Sequence, residues 1–428
     1  MHLTHRQTCR VCGSAALTKV IDLGDQYLQG SFIGADGKMP PLRKIDTALV
    51  RCDPMRDERA CGLLQMTVSV PPSILYADYW YRSGTNRTMT EHLGGIASEL
   101  VEMVGKPTAR VLDIGCNDGT LLRHYPPTHV RYGIDPSDAA KSVPSDVQVV
   151  NDLFPSEQLT GLTRGKRFDV ITSIAMFYDL EDPTAFARVV KQHLAQDGVW
   201  CFEMSYMPAM LQNNSYDTIC HEHLEYYSLA VVEYILRAAS MKAVRVSLND
   251  CNGASIRVHA THSDNFIFDG DPRAQAAIRS LRQREFDLKL DTDEPYRNFQ
   301  EAIEKHKTEL SSLLRRLKNG GKKVHIYGAS TKGNTILQTC GINNSLVECA
   351  AERNPKKFGG RTLGTNIPIV SEEESRARHP DYYLVLPWHF KDEFLDRERG
   401  MLEAGVGFIF PLPRIEIIAR HAVAARAA

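Results

Sequence analysis

No stretch of this chain reaches the 18 or more uninterrupted apolar residues that a membrane-spanning helix needs, and the opening MHLTHRQTCRVCGS lacks the apolar centre of a secretory signal. Those absences exclude a helical membrane protein and make the cytoplasm the expected compartment. Charge of one sign is also missing: 51 Lys and Arg face 52 Asp and Glu, for a net charge of -1. That balance removes the electrostatic drive behind non-specific nucleic-acid binding, so neither nucleic acid nor membrane is an expected partner. Ten cysteines in 428 residues are too few for a disulfide scaffold, so any clustering among them points to metal or to chemistry. Hydrophobic residues at 43% and charged residues at 24% exclude disorder, and the length implies about three domains.

Four of the cysteines do cluster. Cys9 and Cys12 form a C-x2-C pair before Gly13, a turn that aims two thiolates at one tetrahedral ion, and Cys52 and Cys61 are the natural second pair. A segment of roughly 70 residues has little core of its own, so a structural zinc closing the long loop between the pairs would stabilise it. The departure is that the second pair is C-x8-C, with DPMRDERA between its cysteines.

The centre of the chain reads ARVLDIGCNDGTLLRHY: an apolar strand, a turn with Gly115 and Gly119, and the start of a helix. The glycines let backbone pass close to a ligand, and Asp113 closes the strand. The spacing is not G-x-G-x-x-G, and an acid ahead of the first glycine repels a pyrophosphate, which favours S-adenosylmethionine over NAD. Asn117 lies in the same turn. A second strand ends at Asp135, placed to grip ribose hydroxyls; a third ends at Asp152, near the expected adenine amino group. A fourth, FDVITSIAMFYDLEDP, places Ser173 through Tyr178 at the ligand-binding edge. The ordered series predicts a class I methyltransferase core, for which Asp113, Gly115, Asn117, Gly119, Asp135, Asp152 and Ser173 are the expected cofactor contacts.

Two polar aromatic stretches flank that core. LYADYWYRSGTNRTMTEHL carries Tyr76, Tyr79, Tyr81, Ser83 and His92, and YDTICHEHLEYYSL compresses Asp217, His221, Glu222, His223, Tyr226 and Tyr227. The spacing H-E-x-x-H of zinc proteases is absent. His, Glu and Tyr together are what proton abstraction beside a carbonyl requires, and on a helix His221 and His223 would lie on nearly opposite faces, so one of them is expected in a pocket. After a charged helical stretch from about 273 to 318, KKVHIYGASTKGNTIL is a second strand, glycine turn and helix. Its Ser330, Thr331, Lys332 and Asn334 offer amides and a cation to an anion such as a diphosphate, and it is not a Walker A loop. Tyr327, Arg353 and Trp388 are expected to line the same cleft, as are Glu352, Asn354, Lys356, His389 and Phe390.

At these blocks the chain resembles the sugar C-methyltransferases that act at C3 of nucleotide-linked 4-keto-6-deoxy sugars, the tetronitrose type among them. The resemblance rests on CRVCGS, IDLGDQYLQGSF, VLDIGCNDGTLL, YDTICHEHLEYYSL, HIYGASTKGNTILQ and AERNPKKFGGRTLGTNIPI, and it spans nearly the whole chain. It implies an α/β protein with a zinc-binding N-terminal domain (1-70), an S-adenosylmethionine domain (71-264) and a C-terminal Rossmann-like domain (265-428) that helps hold the nucleotide sugar, dTDP- or GDP-linked. It also implies a monomer. By resemblance His223 is the general base and Glu222 orients it or the sugar; Tyr79, Tyr81 and Ser83 are candidates to contact the keto oxygen or sugar hydroxyls, as donors that can be aimed at developing negative charge. Tyr76, His221 and Tyr226 join the substrate side. The family commonly has tyrosine where this sequence has Cys220, and a histidine often found after the fourth strand is not evident. Two other readings follow from parts of the pattern: an RNA or other small-molecule methyltransferase with a zinc ribbon, or a non-catalytic nucleotide-sugar-binding protein.

Overall fold

The computed structural model describes residues 2–75 and 81–419. Within it, strands Leu17–Gln26, Ile45–Cys52 and Leu64–Met66 form an antiparallel N-terminal sheet. Ile45–Cys52 is buried along almost its whole length because both faces are covered. The fourth strand of this sheet comes from far downstream: Glu225–Tyr226 pairs with Leu64–Met66, Glu225 opposite Gln65 and Tyr226 opposite Leu64. A short strand, Phe32–Ile33, pairs instead with Arg361–Thr362 of the C-terminal region.

The central sheet has seven strands in the order Met241–Asn249, Ser255–His262, Leu194–Ser205, Phe168–Ile174, Arg110–Ile114, Val130–Ile134 and Gln148–Val150. Ser255–His262 runs antiparallel to both its neighbours, and the other pairings are parallel. The order and the single reversed strand are those of a class I methyltransferase. Strand order reverses beside Arg110–Ile114, which opens a ligand crevice beyond its carboxyl end. Helix Arg87–Val104 covers one face, burying Met89, Leu93, Ile96, Ala97 and Leu100, which recur at the 3- and 4-residue spacing of a single helical stripe. Its ends are set locally, with Asn86 accepting from the Met89 amide and Gly105 taking a left-handed φ of 63°. Truncating Ile96, which is fully buried, to alanine would cost about 2–5 kcal/mol.

A third sheet follows the order Ile369–Ser371, Ala350–Glu352, Val324–Tyr327, Tyr382–Val385, Gly407–Phe410 and Glu416–Ile418, parallel except for the last strand. This doubly wound unit reverses beside Val324–Tyr327, so its crevice lies at Gly328. The helical stretch ahead of it divides between modules. Helix Pro272–Asp287 packs Ile278 and Leu281 into the methyltransferase core, and its Glu285 accepts from the Leu229 and Ala230 amides that start helix Leu229–Ala238. Helix Glu294–Asn319 packs Tyr296, Phe299, Ile303, Leu310 and Leu314 into the core of the C-terminal unit. Helix Pro272–Asp287 thus packs on the central sheet, whereas Glu294–Asn319 packs on the C-terminal one. No helix among the described residues is long and apolar enough to cross a membrane.

Candidate active site

The cofactor crevice is built by the turn after Arg110–Ile114, where Gly115 and Gly119 have φ of 74° and Asn117 of 50°. Only glycine takes these angles without strain, with asparagine the next most tolerant. Asp135 shapes the turn from the next strand: it accepts from the Asn117 amide at 2.9 Å and from the Ser137 amide at 2.8 Å. Asp113 is buried and accepts from the Thr172 hydroxyl at 2.6 Å. Burial, with the neighbouring Asp135 charge adding to it, pushes its carboxyl up to about 7. A cationic ammonium group such as that of a methionine moiety would restore the ionised form. The upstream segment lies across the turn: the Ser83 amide donates to Asn117 Oδ1 (3.1 Å), the Gly84 amide to Asp118 Oδ2 (2.9 Å), and the Tyr81 carbonyl accepts from Asn117 Nδ2 (3.3 Å). Tyr76 and Tyr79 lie outside the described residues.

One expected cofactor contact is placed otherwise. The Ser173 hydroxyl accepts from the Trp200 indole at 3.2 Å inside the hydrophobic core, because the strand's alternation turns it away from the crevice. Asp152 accepts from the Leu153 amide and the Ser156 hydroxyl at the approach to helix Glu157–Thr163, one bond on each oxygen.

The HEH turn separates its two histidines. His221 is buried against the N-terminal module, where Nδ1 meets Gln29 Oε1 at 2.7 Å and Nε2 meets Thr47 Oγ1 at 3.3 Å. Burial lowers it to about 4, so it is a neutral bridge between modules and not a substrate contact. His223 instead places Nδ1 2.8 Å from the Thr218 carbonyl and its ring 4.2 Å from that of Tyr178. The carbonyl can only accept, which assigns the proton to Nδ1 and leaves Nε2 unprotonated. Burial, helped by the Lys332 cation, lowers His223 to about 3, keeping it neutral. Burial pushes the Glu222 carboxyl the other way, up to about 7. The turn is clamped on both sides of His223, by its own amide bonded to the Cys220 carbonyl, and by Leu224, whose amide donates to Tyr178 O and whose carbonyl accepts from the Met66 amide. Tyr226 is a core residue whose hydroxyl reaches the same Thr218 carbonyl at 3.4 Å, so it supports the turn and does not line the cleft.

The C-terminal glycine turn meets this site directly. Helix Thr331–Thr339 packs on Tyr216–Thr218, with Thr335 Oγ1 donating to the Ile219 carbonyl at 3.2 Å. Lys332 donates to the Asn252 carbonyl, and Trp388 Nε1 donates to buried Asp217 at 2.8 Å. Ser330 caps the helix by accepting from the Gly333 amide (3.1 Å), Thr331 is half-buried, and Asn334 donates to the Gln29 carbonyl (2.6 Å). The Ala329 amide is already taken by Glu352 at 3.1 Å. Tyr327 faces away: its hydroxyl is bound between Glu398 and Arg376 in a separate polar cluster. Arg353 is exposed on the surface.

Gln29, Asn252 and Glu203 were not expected at the site, whereas Tyr178 lies on the carboxyl edge where the sequence places it. Glu203 binds His92 Nε2 (2.6 Å), Asn249 Nδ2 (2.9 Å) and Arg257 Nε (2.9 Å). Burial opposes the charge on His92, yet pairing with Cys251 and Glu203 raises it to about 9. A charged residue inside the apolar strand VWCFEMS was the available signal. Gln29 and Asn252 sit in turns with no such signal.

The four cysteines converge in spite of the long second spacing, with Cys9 Sγ 3.5 Å from Cys61 Sγ and Cys12 Sγ 3.4 Å from Cys52 Sγ. In a tetrahedral Zn–S4 centre with bonds of about 2.3 Å, sulfurs lie about 3.8 Å apart, whereas a disulfide requires about 2.05 Å. The donor set therefore fits zinc, because a small expansion admits the ion. All four ligand atoms lie within 4.8 Å of one another.

Three family models match in series: a zinc binding domain over residues 9–76, a methyltransferase domain over 88–245, and a C-methyltransferase C-terminal domain over 250–413. With the strand order and the glycine crevice, they define an S-adenosylmethionine-dependent methyltransferase whose C-terminal part matches a C-methyltransferase domain. Along its length it is similar to the C-methyltransferase NovU of Streptomyces niveus, 28% identical over 415 residues that cover 96% of each chain. Among solved structures it is similar to an S-adenosylmethionine-dependent methyltransferase from Clostridium acetobutylicum (13% identity, 44% of this chain and 95% of that one, TM-score 0.32). Another is the magnesium protoporphyrin IX methyltransferase from Synechocystis with bound SAM (13% identity, 41% and 79%, TM-score 0.31).

Proposed function

We propose that this C-methyltransferase adds a methyl group at C3 of a nucleotide-linked 4-keto-6-deoxy sugar, with His223 as general base. The observation that carries the reading is the Thr218 carbonyl on His223 Nδ1, which presents a neutral, unprotonated Nε2. A 4-keto group acidifies the C3 hydrogen. Nε2 takes that proton, and the electron pair moves from the C3–H bond to the C4 oxygen as an enolate. S-adenosylmethionine would supply the electrophilic methyl group that C3 accepts as the C4 carbonyl re-forms, the S–CH3 electron pair staying on the sulfur of the departing S-adenosylhomocysteine. Asp113, Asn117 and Asp135 are the residues to hold it, and the Tyr81–Ser83 segment covers their turn. Glu222, kept largely in its acid form below neutral pH, is suited to donate to the developing C4 oxyanion, since donors aimed at new charge give the largest electrostatic benefit. Lys332 and Ser330 stand at the turn where a diphosphate would arrive.

The support for a sugar substrate is similarity to the family, together with the contact between the base turn and the C-terminal glycine turn. The test is incubation with S-adenosylmethionine and 4-keto-6-deoxy sugars on dTDP, GDP, UDP and CDP, following the mass gain of one methylene and deuterium exchange at C3. A gain on one carrier is the expected result. Cofactor binding with neither gain nor exchange on any sugar would overturn the proposal.

A further inference from the structure

Gly30 lies in the N-terminal module, on a turn closed by the Ser31 amide bonded to the Leu28 carbonyl at 3.2 Å. A Cβ built on it would fall 1.8 Å from Glu222 Oε1 and 2.9 Å from Glu222 Cδ, well inside any tolerable contact. Glycine here is not needed for its backbone freedom, because Gly30 is not among the glycines with positive φ. What it provides is space, and the Glu222 carboxyl fills it.

The turn is fastened to all three modules. Gln29 Oε1 accepts from the His221 amide at 3.2 Å and meets His221 Nδ1 at 2.7 Å, so the residue before Gly30 holds the residue before Glu222. The Gln29 carbonyl accepts from Asn334 Nδ2 at 2.6 Å, and Gln29 Nε2 donates to Gln26, which donates in turn to Thr339 Oγ1 at 2.9 Å. Buried polar groups satisfied in this way make a rigid frame. Two residues past Gly30, Phe32–Ile33 is pinned by pairing with Arg361–Thr362.

We propose that Gly30 is a positioning residue of the active site: its missing side chain is the seat of the Glu222 carboxyl, so that the zinc-binding module supplies one wall of the catalytic pocket. The proposal rests on the assignment of Glu222 and His223 to the reaction. It gives the N-terminal module a direct part in catalysis, through a contact that belongs to neither the metal nor the cofactor crevice. Cys220 is the hydrogen-bond neighbour of the carboxyl, and burial is the dominant influence on it.

The test is Gly30→Ala in the full-length, zinc-loaded protein. The atom that must yield is the far end of a flexible side chain, so the variant should keep its melting temperature and its affinity for S-adenosylmethionine while displacing the carboxyl. The carbon-13 signal of the Glu222 carboxyl, identified by its loss in Glu222→Gln, titrates near 7 in the native protein and should move towards its ordinary 4.5 in Gly30→Ala. With a sugar that the native enzyme accepts, kcat should fall about tenfold or more with KM unchanged. Adding Glu222→Asp, a carboxyl one methylene shorter, should restore part of that loss. An unchanged titration midpoint together with turnover within twofold of native would overturn the proposal. So would an equal loss in Gly30→Ala and in Gly30→Ala/Glu222→Asp, since that would show a damaged turn and not an occupied seat. If the native enzyme exchanges C3 in no sugar, the reading of function fails separately, and the carboxyl titration still decides whether Gly30 is the seat.

Discussion

Deuterium exchange at the sugar C3 should be almost independent of pH between 6.5 and 5. The active form of His223 is the neutral ring, and burial with the Lys332 cation holds its titration down at about 3. A group whose pKa is lowered stays neutral to lower pH, so its basic form is lost only as pH falls through about 3. An ordinary histidine titrating near 6.5 would be about 3% neutral at pH 5, whereas this ring would be about 99% neutral, a difference of about thirty-fold in competent enzyme. Glu222 and Asp113 gain protons over the same range, but each titrates at about 7 and is mostly in its acid form by pH 6.5. The assay follows loss of the C3 proton by NMR in D2O with S-adenosylhomocysteine present, so that methyl transfer does not intervene, while circular dichroism monitors the fold. Lys332→Met removes the neighbouring cation and should lift the acid limb towards 6.5. A native profile that falls more than tenfold by pH 5 around a midpoint near 6.5, with the fold intact, would refute the reasoning.

Native protein should contain about one zinc per chain, and Cys61→Ser should lose it and destabilise the N-terminal sheet, read by metal analysis and by hydrogen exchange across Leu64–Met66. Arg10 and Glu225 should respond unequally. Arg10→Met removes donors to Gln65, Met66 and Ser69 and should cost about 3–5 kcal/mol in denaturant titration, as expected for breaking a buried charged network. Burial drives Glu225 towards its acid form in spite of Arg10, and neither of its oxygens has a hydrogen-bond partner among the described residues, so Glu225→Gln should stay within about 1 kcal/mol. Asp135→Ala should weaken S-adenosylmethionine binding about 10- to 100-fold by calorimetry, because it frees the Asn117 amide and removes a charged acceptor.

The central module was legible because its signals are local. An apolar strand ending at Asp113, glycines where the turn needs positive φ, and acids at successive strand ends are all contained within short windows of sequence. The failure at Ser173 has the same origin. Residue type and position at a strand end do not say which way a hydroxyl points, and here the Trp200 indole claims it. Tyr327 failed similarly, because Arg376 and Glu398, 49 and 71 residues further along, take its hydroxyl.

The HEH turn shows what a linear reading lacks. Spacing alone could say that His221 and His223 face different ways, and the structure does give them different partners. Which histidine meets which partner depends on Gln29 and Thr47, more than 170 residues upstream, and on the Thr218 carbonyl, a backbone group that carries no sequence signal. The strand Glu225–Tyr226 explains why those distant residues are available. By completing the N-terminal sheet, it carries the base-bearing turn to the seam of three modules, so that Tyr178 of the central module, Lys332 of the C-terminal one and Gly30 of the zinc-binding one surround a single segment. In the proposed mechanism, a base held from three sides cannot be reoriented by a change in any one module without strain in the other two. On that reading the modules beyond the cofactor fold, besides offering a cysteine cluster suited to zinc and a glycine turn suited to an anion, restrict the geometry of one proton transfer.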